Sequence, residues 1–290
     1  MSFTESPEEI MKQREYMDVT YAVTGGVATI TLDAPDRLNG MRVAMLENVL
    51  IALNRADRDP AVRAVIVTGA GSAFSVGAAL DGPETLTKAL DEDVAGHTPT
   101  GYREPAGRIS ERLVAMQKPV IAAINGHAIG GGATIAAGMD VRIVSSAAKF
   151  GFVFTRRGVV PEGASSWFLP RLVGLGRATD WLLSGRVFDA DEALQSGFAT
   201  QVVAPDQVLA AAHSYAAQFV HDTSPTSVAL TRRLLASQWL HSHPAAAAAD
   251  ESRTYASRVD SADAHEGINS FLERRPPVFP PLDPTAAARF

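Results

Sequence analysis

With 290 residues, 46% of them hydrophobic, the chain is long enough to bury a substantial core, as one large domain or one domain with an appendage. A formal net charge of -6 and a pI near 5.7 remove the electrostatic case for a nucleic-acid or anionic-membrane partner. Without cysteine there are no disulfides, thiolate nucleophiles or cysteine-based metal sites, and together with a charged N-terminus lacking an apolar signal core this predicts a cytoplasmic protein with no metal site.

Residues 1–17 read as a polar arm. Val19 to Val23 and Val27 to Leu32 read as strands joined by Thr24-Gly25-Gly26, a hairpin signal. Asp33 to Gly40 is a loop, and the next stretch carries Met45, Val49, Ala52 and Leu53 at helical spacing. Val62 to Thr68 is a continuous apolar strand of the kind buried on both faces, and it runs into GAGSAFSVGAAL. Three functions compete for that loop. A dinucleotide fingerprint fails because Phe74 stands where its third glycine belongs. A nucleophile elbow would use Ser75 between Ala73 and Gly77, with alanine replacing the first glycine. The third reading takes the Gly77-Ala78 amides as anion-stabilising donors at the end of a strand.

Asp81 to Gly107 mixes acidic residues with Gly and Pro without a sustained period, which predicts a mobile surface segment of the kind that covers pockets. A helical pattern resumes over Arg108 to Met116. Lys118 to Asp140 then holds a short apolar strand, Asn125-Gly126, and three glycines opening a small-residue helix. The amides of Gly130 to Gly132 either face outward to meet an oxyanion or serve only a crowded turn. Val141 to Val144 is another strand, Lys149 to Phe154 is apolar and aromatic, and Thr155 to Gly163 is a loop before a helix that starts near Ser165. After the short strand Thr200 to Val203, helical signals take over to about Arg275, followed by a proline-stiffened tail; His241 and His243 lack partners at ligand spacing. No internal sequence repeat is visible.

The pieces DAPDRLNGM, GAGSAFSVGAAL, KPVIAAINGHAIGGG, FTRRGVVPEGASSWFLPRLVG, LLSGRVFDADEALQSGFATQVV and EGINSFLERRPPVF, in that order, resemble the crotonase (enoyl-CoA hydratase/isomerase) superfamily. The resemblance runs from about Val19 to Phe279. It implies a crotonase-like α/β spiral of strand-strand-helix repeats (residues 18–204) and a C-terminal helical oligomerisation region (205–290), packing trimers or hexamers. It further implies that the backbone N–H groups of Ala78 and Gly131 grip an acyl-CoA thioester oxygen, coenzyme A entering as part of the substrate with no separate cofactor. One such donor contributes about 2.7–4 kcal/mol in a transition state.

The same resemblance places Thr134 and Phe154 where hydratases carry glutamates, and Ala79 where the pattern usually carries aspartate, so that the aspartate's hydrogen bonding is either missing or taken over by Asp81. Neither Thr134 nor Phe154 is a carboxylate base. Glu162, in Val160-Pro161-Glu162-Gly163, matches the single acid/base glutamate of peroxisomal-type enoyl-CoA isomerases, with Phe152, Phe154, Trp167 and Phe168 as apolar neighbours. Arg37 and Leu38 match the loop along the CoA adenine and phosphate path, and Arg274, Arg275 and Phe279 a tail that completes the nucleotide pocket. The expected reaction is therefore 3-enoyl-CoA to 2-enoyl-CoA isomerisation, with a divergent hydratase-like activity second. A serine hydrolase using Ser75 and a non-catalytic acyl-CoA binding protein remain as readings of another class.

Overall fold

The computed structural model describes residues 18–283 other than 100 and 239; the expected N-terminal arm lies outside them. The described chain starts with a hairpin, β1 (Val19–Thr24) and β2 (Val27–Leu32), then α1 (Val43–Arg58). The buried Met45, Val49, Ala52, Leu53 and Ala56 recur every three or four residues, so α1 lays one apolar stripe on the core.

Three units of like build follow, each a long buried strand, a short second strand and a helix. The first is β3 (Ala64–Gly69) and β4 (Ala73–Ser75), leading through α2 (Thr85–Glu92) and the hairpin β5 (His97–Thr98) and β6 (Gly101–Tyr102) to α3 (Pro105–Ala115). The second is β7 (Val120–Ile124), β8 (His127–Ile129) and α4 (Gly131–Ala137); the third is β9 (Val141–Ser145), β10 (Lys149–Gly151) and α5 (Ser165–Val173). This is the strand-strand-helix repeat that the resemblance implies, present in the backbone without any repeat in the sequence. The chain continues as α6 (Leu175–Ser184), β11 (Val187–Asp189), α7 (Ala190–Gln195) and β12 (Gln201–Val203), then α8 (Val208–Val220), α9 (Pro225–Gln238), α10 (Pro244–Ala256) and α11 (Ala262–Glu273). Among the described residues no helix is long and apolar enough to cross a membrane.

The long strands with the short β12 form a six-stranded sheet in the order β1-β2-β3-β7-β9-β12, parallel from β2 onward, and four other short strands a second sheet, β11-β10-β8-β4. Alternation in the long strands decides what each face meets. Val65, Val67, Val120, Ala122 and Ile124 point into the main core with α1 and the short strands. Ala64, Ile66, Ile121, Ala123 and Ile143 point the other way, where α8 covers them with Val208, Ala212 and Ala216. Burial on both faces is why these strands read as continuous apolar runs.

Asp81 to Gly107, whose composition predicts a mobile surface segment without a sustained period, forms α2 and the β5–β6 hairpin. It is pinned by Asp93, which accepts hydrogen bonds from Tyr102 Oη (3.0 Å) and Arg108 Nη2 (2.6 Å). Arg108 also reaches Glu47 of α1 at 2.6 Å. A charged clasp, rather than apolar periodicity, orders this stretch.

Candidate active site

β4, β8 and β10 run parallel, so the turns that follow them lie at the same end of the second sheet. The turn between β3 and β4 is clamped from two sides by asparagines. Asn39 Nδ2 donates to Ala70 O and Ala73 O, and Asn125 Nδ2 donates to Gly71 O while its Oδ1 accepts from Gly69 N–H. After β4, Met41 and Ala78 form a parallel bridge in which Met41 N–H donates to Gly77 O (2.7 Å) and Ala79 N–H to Met41 O (3.0 Å). In such a bridge the N–H of the middle residue points to the opposite side. The Ala78 amide therefore faces away from Met41. Gly131, opening α4, has no carbonyl a turn earlier in its helix to meet its N–H. Among the described residues neither amide has a hydrogen-bond acceptor.

A methyl group placed on Gly131 would stand 3.0 Å from Glu162 Oε1, 3.7 Å from Met41 Sδ and 3.8 Å from Gly77 Cα. The carboxyl of Glu162 and the Ala78 and Gly131 amides thus share one small volume, and all three line a cavity of about 590 Å³ roofed by α2. The Glu162 backbone is fixed on both sides. Its carbonyl accepts from Ser165 N–H and Oγ (3.0 and 2.8 Å), Gly163 N–H donates to Glu104 Oε1 (2.7 Å), and Gly163 O accepts from Ser110 Oγ (2.7 Å). Gly163 has φ +58°, and a β-carbon there would lie 2.4 Å from Thr134 Cγ2, so this turn admits only glycine.

Removal from water, followed by the facing charge of Glu104, raises the Glu162 carboxyl from its ordinary 4.5 to about 7. A group that titrates there can both take and return a proton near neutrality. The apolar contribution is not the expected aromatic one. Met41, Leu46, Pro105 and Ala106 line the cavity with Glu162. Phe152 stacks on Trp181 in a separate cluster with Phe188 and Phe198, and Phe168 packs beside Gly138. Glu104 was invisible to periodicity. The signal that points to it is Glu104-Pro105, since proline is favoured at the first position of a helix and here starts α3 three residues before Arg108.

Ser75 is fully buried, its Oγ donating to Asn39 O (2.7 Å) and accepting from Gly77 N–H (3.2 Å). It shapes the turn and does not face the cavity, which removes the nucleophile-elbow reading. Asp81 does not replace the family aspartate either: its carboxylate is exposed and meets Arg42 at 3.6 Å. Thr134 and Phe154 are both buried, Thr134 beneath Gly163 with its hydroxyl unmet among the described residues.

Arg37, Leu38, Arg274, Arg275 and Phe279, expected along the CoA path, do not line this cavity within one chain. Arg37 Nε donates to Gly40 O (2.9 Å) and its guanidinium is paired with Asp18; Leu38 is left-handed and exposed, its carbonyl accepting from Val76 N–H beside the Ala78 turn. Arg275 is engaged by Glu266 and Glu273, each at 2.6 Å, and Arg274 forms the left-handed end of α11. Phe279 lies over Gly267 and lines a second cavity of about 790 Å³, between α8, α9 and α11, that shares no residue with the first. There Arg232 is paired with Asp140 and Arg258 with Asp263, so among the described residues no unpaired carboxyl faces that space as Glu162 does in the other.

The enoyl-CoA hydratase/isomerase family model matches residues 22–281. Among curated proteins, enoyl-CoA hydratase ACTT3 of Alternaria alternata is 36% identical over 255 residues, 88% of this chain and 83% of that protein. The 1,2-epoxyphenylacetyl-CoA isomerase of Escherichia coli is 33% identical over 258 residues, 89% and 96% of the two chains. The crystal structure of a probable enoyl-CoA hydratase/isomerase from Mycobacterium abscessus is similar at a TM-score of 0.80 and 35% identity, over 90% of this chain and 98% of that one.

Proposed function

The chain belongs to the enoyl-CoA hydratase/isomerase family of acyl-CoA enzymes, and from that premise we propose that it shifts a double bond, converting a 3-enoyl-CoA to a 2-enoyl-CoA. The observation that carries this reading is the half-buried carboxyl of Glu162, held against two amides that have no acceptor among the described residues. Its carboxylate removes a proton from C2 of the bound thioester. The released pair spreads through the C1 carbonyl, whose oxygen becomes an enolate held by the Ala78 and Gly131 N–H groups. The protonated Glu162 then delivers the same proton to C4: the C3–C4 π pair forms the new C4–H bond, the C1–C2 pair of the enolate moves to C2–C3, and the carbonyl re-forms. Atoms balance with no water, second substrate or separate cofactor.

A second reading, hydration of a 2-enoyl-CoA, is favoured by Glu104, a second carboxylate on the same cavity. A side-by-side assay of 3-enoyl and 2-enoyl thioesters separates them: isomerisation without net water addition is expected, and 3-hydroxyacyl-CoA as the main product would replace the first reading with the second. CoA-ester binding with turnover of neither would leave a non-catalytic binder.

The subunit also presents apolar side chains of the sort that pair with a copy of itself. Phe219 and Leu230 are used inside the chain, but Leu235 (64% exposed), Phe271 (81%) and Leu272 (71%) are not, and Trp239 lies outside the described residues. We expect a homotrimer or hexamer. Light scattering at micromolar concentration checks this, and a stable monomer would reject it.

A further inference from the structure

We propose that Glu104 is a positioning residue for Glu162, fixing the turn that carries it and supplying the fixed negative charge that faces it across the cavity. The inference rests on the reading of Glu162 as the group that moves the proton. Two residues far apart in sequence are joined here by one hydrogen bond, Gly163 N–H to Glu104 Oε1 at 2.7 Å, and both glutamates line the same cavity. The Glu104 carboxylate folds back over the first turn of α3, where a β-carbon on Gly107 would meet its Oε1 at 2.8 Å. It is thus held from two sides, by α3 and by the Glu162 turn.

Other charged groups around the cavity are accounted for. Arg42 and Asp81 face each other at 3.6 Å, Lys88 is bound to Glu84 at 3.1 Å, and Glu92 lines the cavity with them. Tyr102 donates to Asp93, which with burial pushes its hydroxyl up to about 12, so it stays neutral. Arg108 is turned to Glu47 and Asp93, and α4 carries no ionisable side chain. Glu104 is therefore the charge that Glu162 meets, and the one whose field adds to burial in raising it.

Glu104→Gln separates the two roles, because an amide oxygen still accepts from Gly163 N–H while the charge is gone. With Glu162 as base, activity rises with pH as it ionises, so loss of a neighbouring negative charge must move that rise downward. The acid limb of kcat/KM against pH is expected near 7 in the parent and about one pH unit lower in Glu104→Gln, with the plateau within a few-fold. Glu104→Ala also removes the acceptor and should lower the plateau roughly ten- to a hundredfold. The decisive readout does not need turnover: 13C NMR titration of the Glu162 side-chain carboxyl, assigned by its loss in Glu162→Gln. A midpoint lowered in Glu104→Gln supports the inference, and a midpoint unchanged from the parent overturns it. If the parent turns over no enoyl-CoA, the proposed reaction fails while the titration still decides what Glu104 does.

Discussion

Glu162→Gln is expected to lower kcat on the best 3-enoyl-CoA by roughly a thousandfold while leaving thioester affinity within a few-fold. The amide keeps the shape of the carboxyl but neither takes nor gives the proton, and the amides of Ala78 and Gly131, which bind the oxygen, are main chain. Single-turnover kinetics alongside a calorimetric Kd for a saturated acyl-CoA checks both halves. Turnover equal to the parent would make Glu162 a structural residue. The same substitution should move stability the other way. Glu162 is raised from 4.5 to about 7, so between those values the folded chain holds a proton that the unfolded chain has released. Folding stability contributed by this carboxyl is complete below pH 4.5 and falls as the pH rises to 7. Glutamine is neutral throughout. Urea denaturation at pH 8 should therefore find the variant more stable, by up to about 2 kcal/mol.

Gly132→Ala is the substitution with the largest expected effect away from the carboxyl. Its β-carbon would lie 2.3 Å from Ser75 O and 3.0 Å from the Ser75 carbonyl carbon, both backbone atoms of β4. A side chain can rotate away, but a buried strand cannot. Either β4 or α4 must shift, and these two carry the turn to Ala78 and the Gly131 amide. We expect kcat/KM to fall at least about a hundredfold and stability by about 1–3 kcal/mol. Thermal denaturation followed by assay of the folded fraction separates the two effects. Binding and rate should fall together, unlike in Glu162→Gln, and parent-like kinetics in a folded Gly132→Ala would show that the spacing of the two amides is not set by this contact.

What the sequence made legible was whatever repeats locally. The buried strands announced themselves through runs such as Val65 to Val67, the first helix through Met45, Val49 and Leu53, and the amide turns through Gly77 and the Gly130 to Gly132 run. The short strands β4, β8, β10 and β11 were hidden, because three residues leave no period to detect. The order of Asp81 to Gly107 was hidden for another reason. It depends on Asp93, Arg108 and Glu47, which meet only once the chain is folded, and propensity does not report ion pairs between distant residues. Glu104 belongs to that same blind region. Glu162 could be placed by its motif, but the partner that shares its cavity could not.

The two asparagine clamps on the β3–β4 turn have a chemical consequence over time. Asn39-Gly40 and Asn125-Gly126 are the dipeptides most prone to succinimide formation, in which the glycine nitrogen attacks the side-chain amide carbon, ammonia leaves, and water opens the imide to aspartate or isoaspartate. In the native protein Asn39 has its amide held by Ala34, Ala70 and Ala73, and Gly40 N–H is itself bonded to Arg37 O at 2.9 Å, so the attacking and attacked groups are both restrained. Unfolding releases them. An aspartate at either place offers oxygen lone pairs where Nδ2 now donates to carbonyls, so a chain that lingers unfolded acquires damage at the very turn leading to Ala78. The folded state is in this sense the chain's own preservative, and the interval a molecule spends unfolded limits how often it can be refolded into an active one.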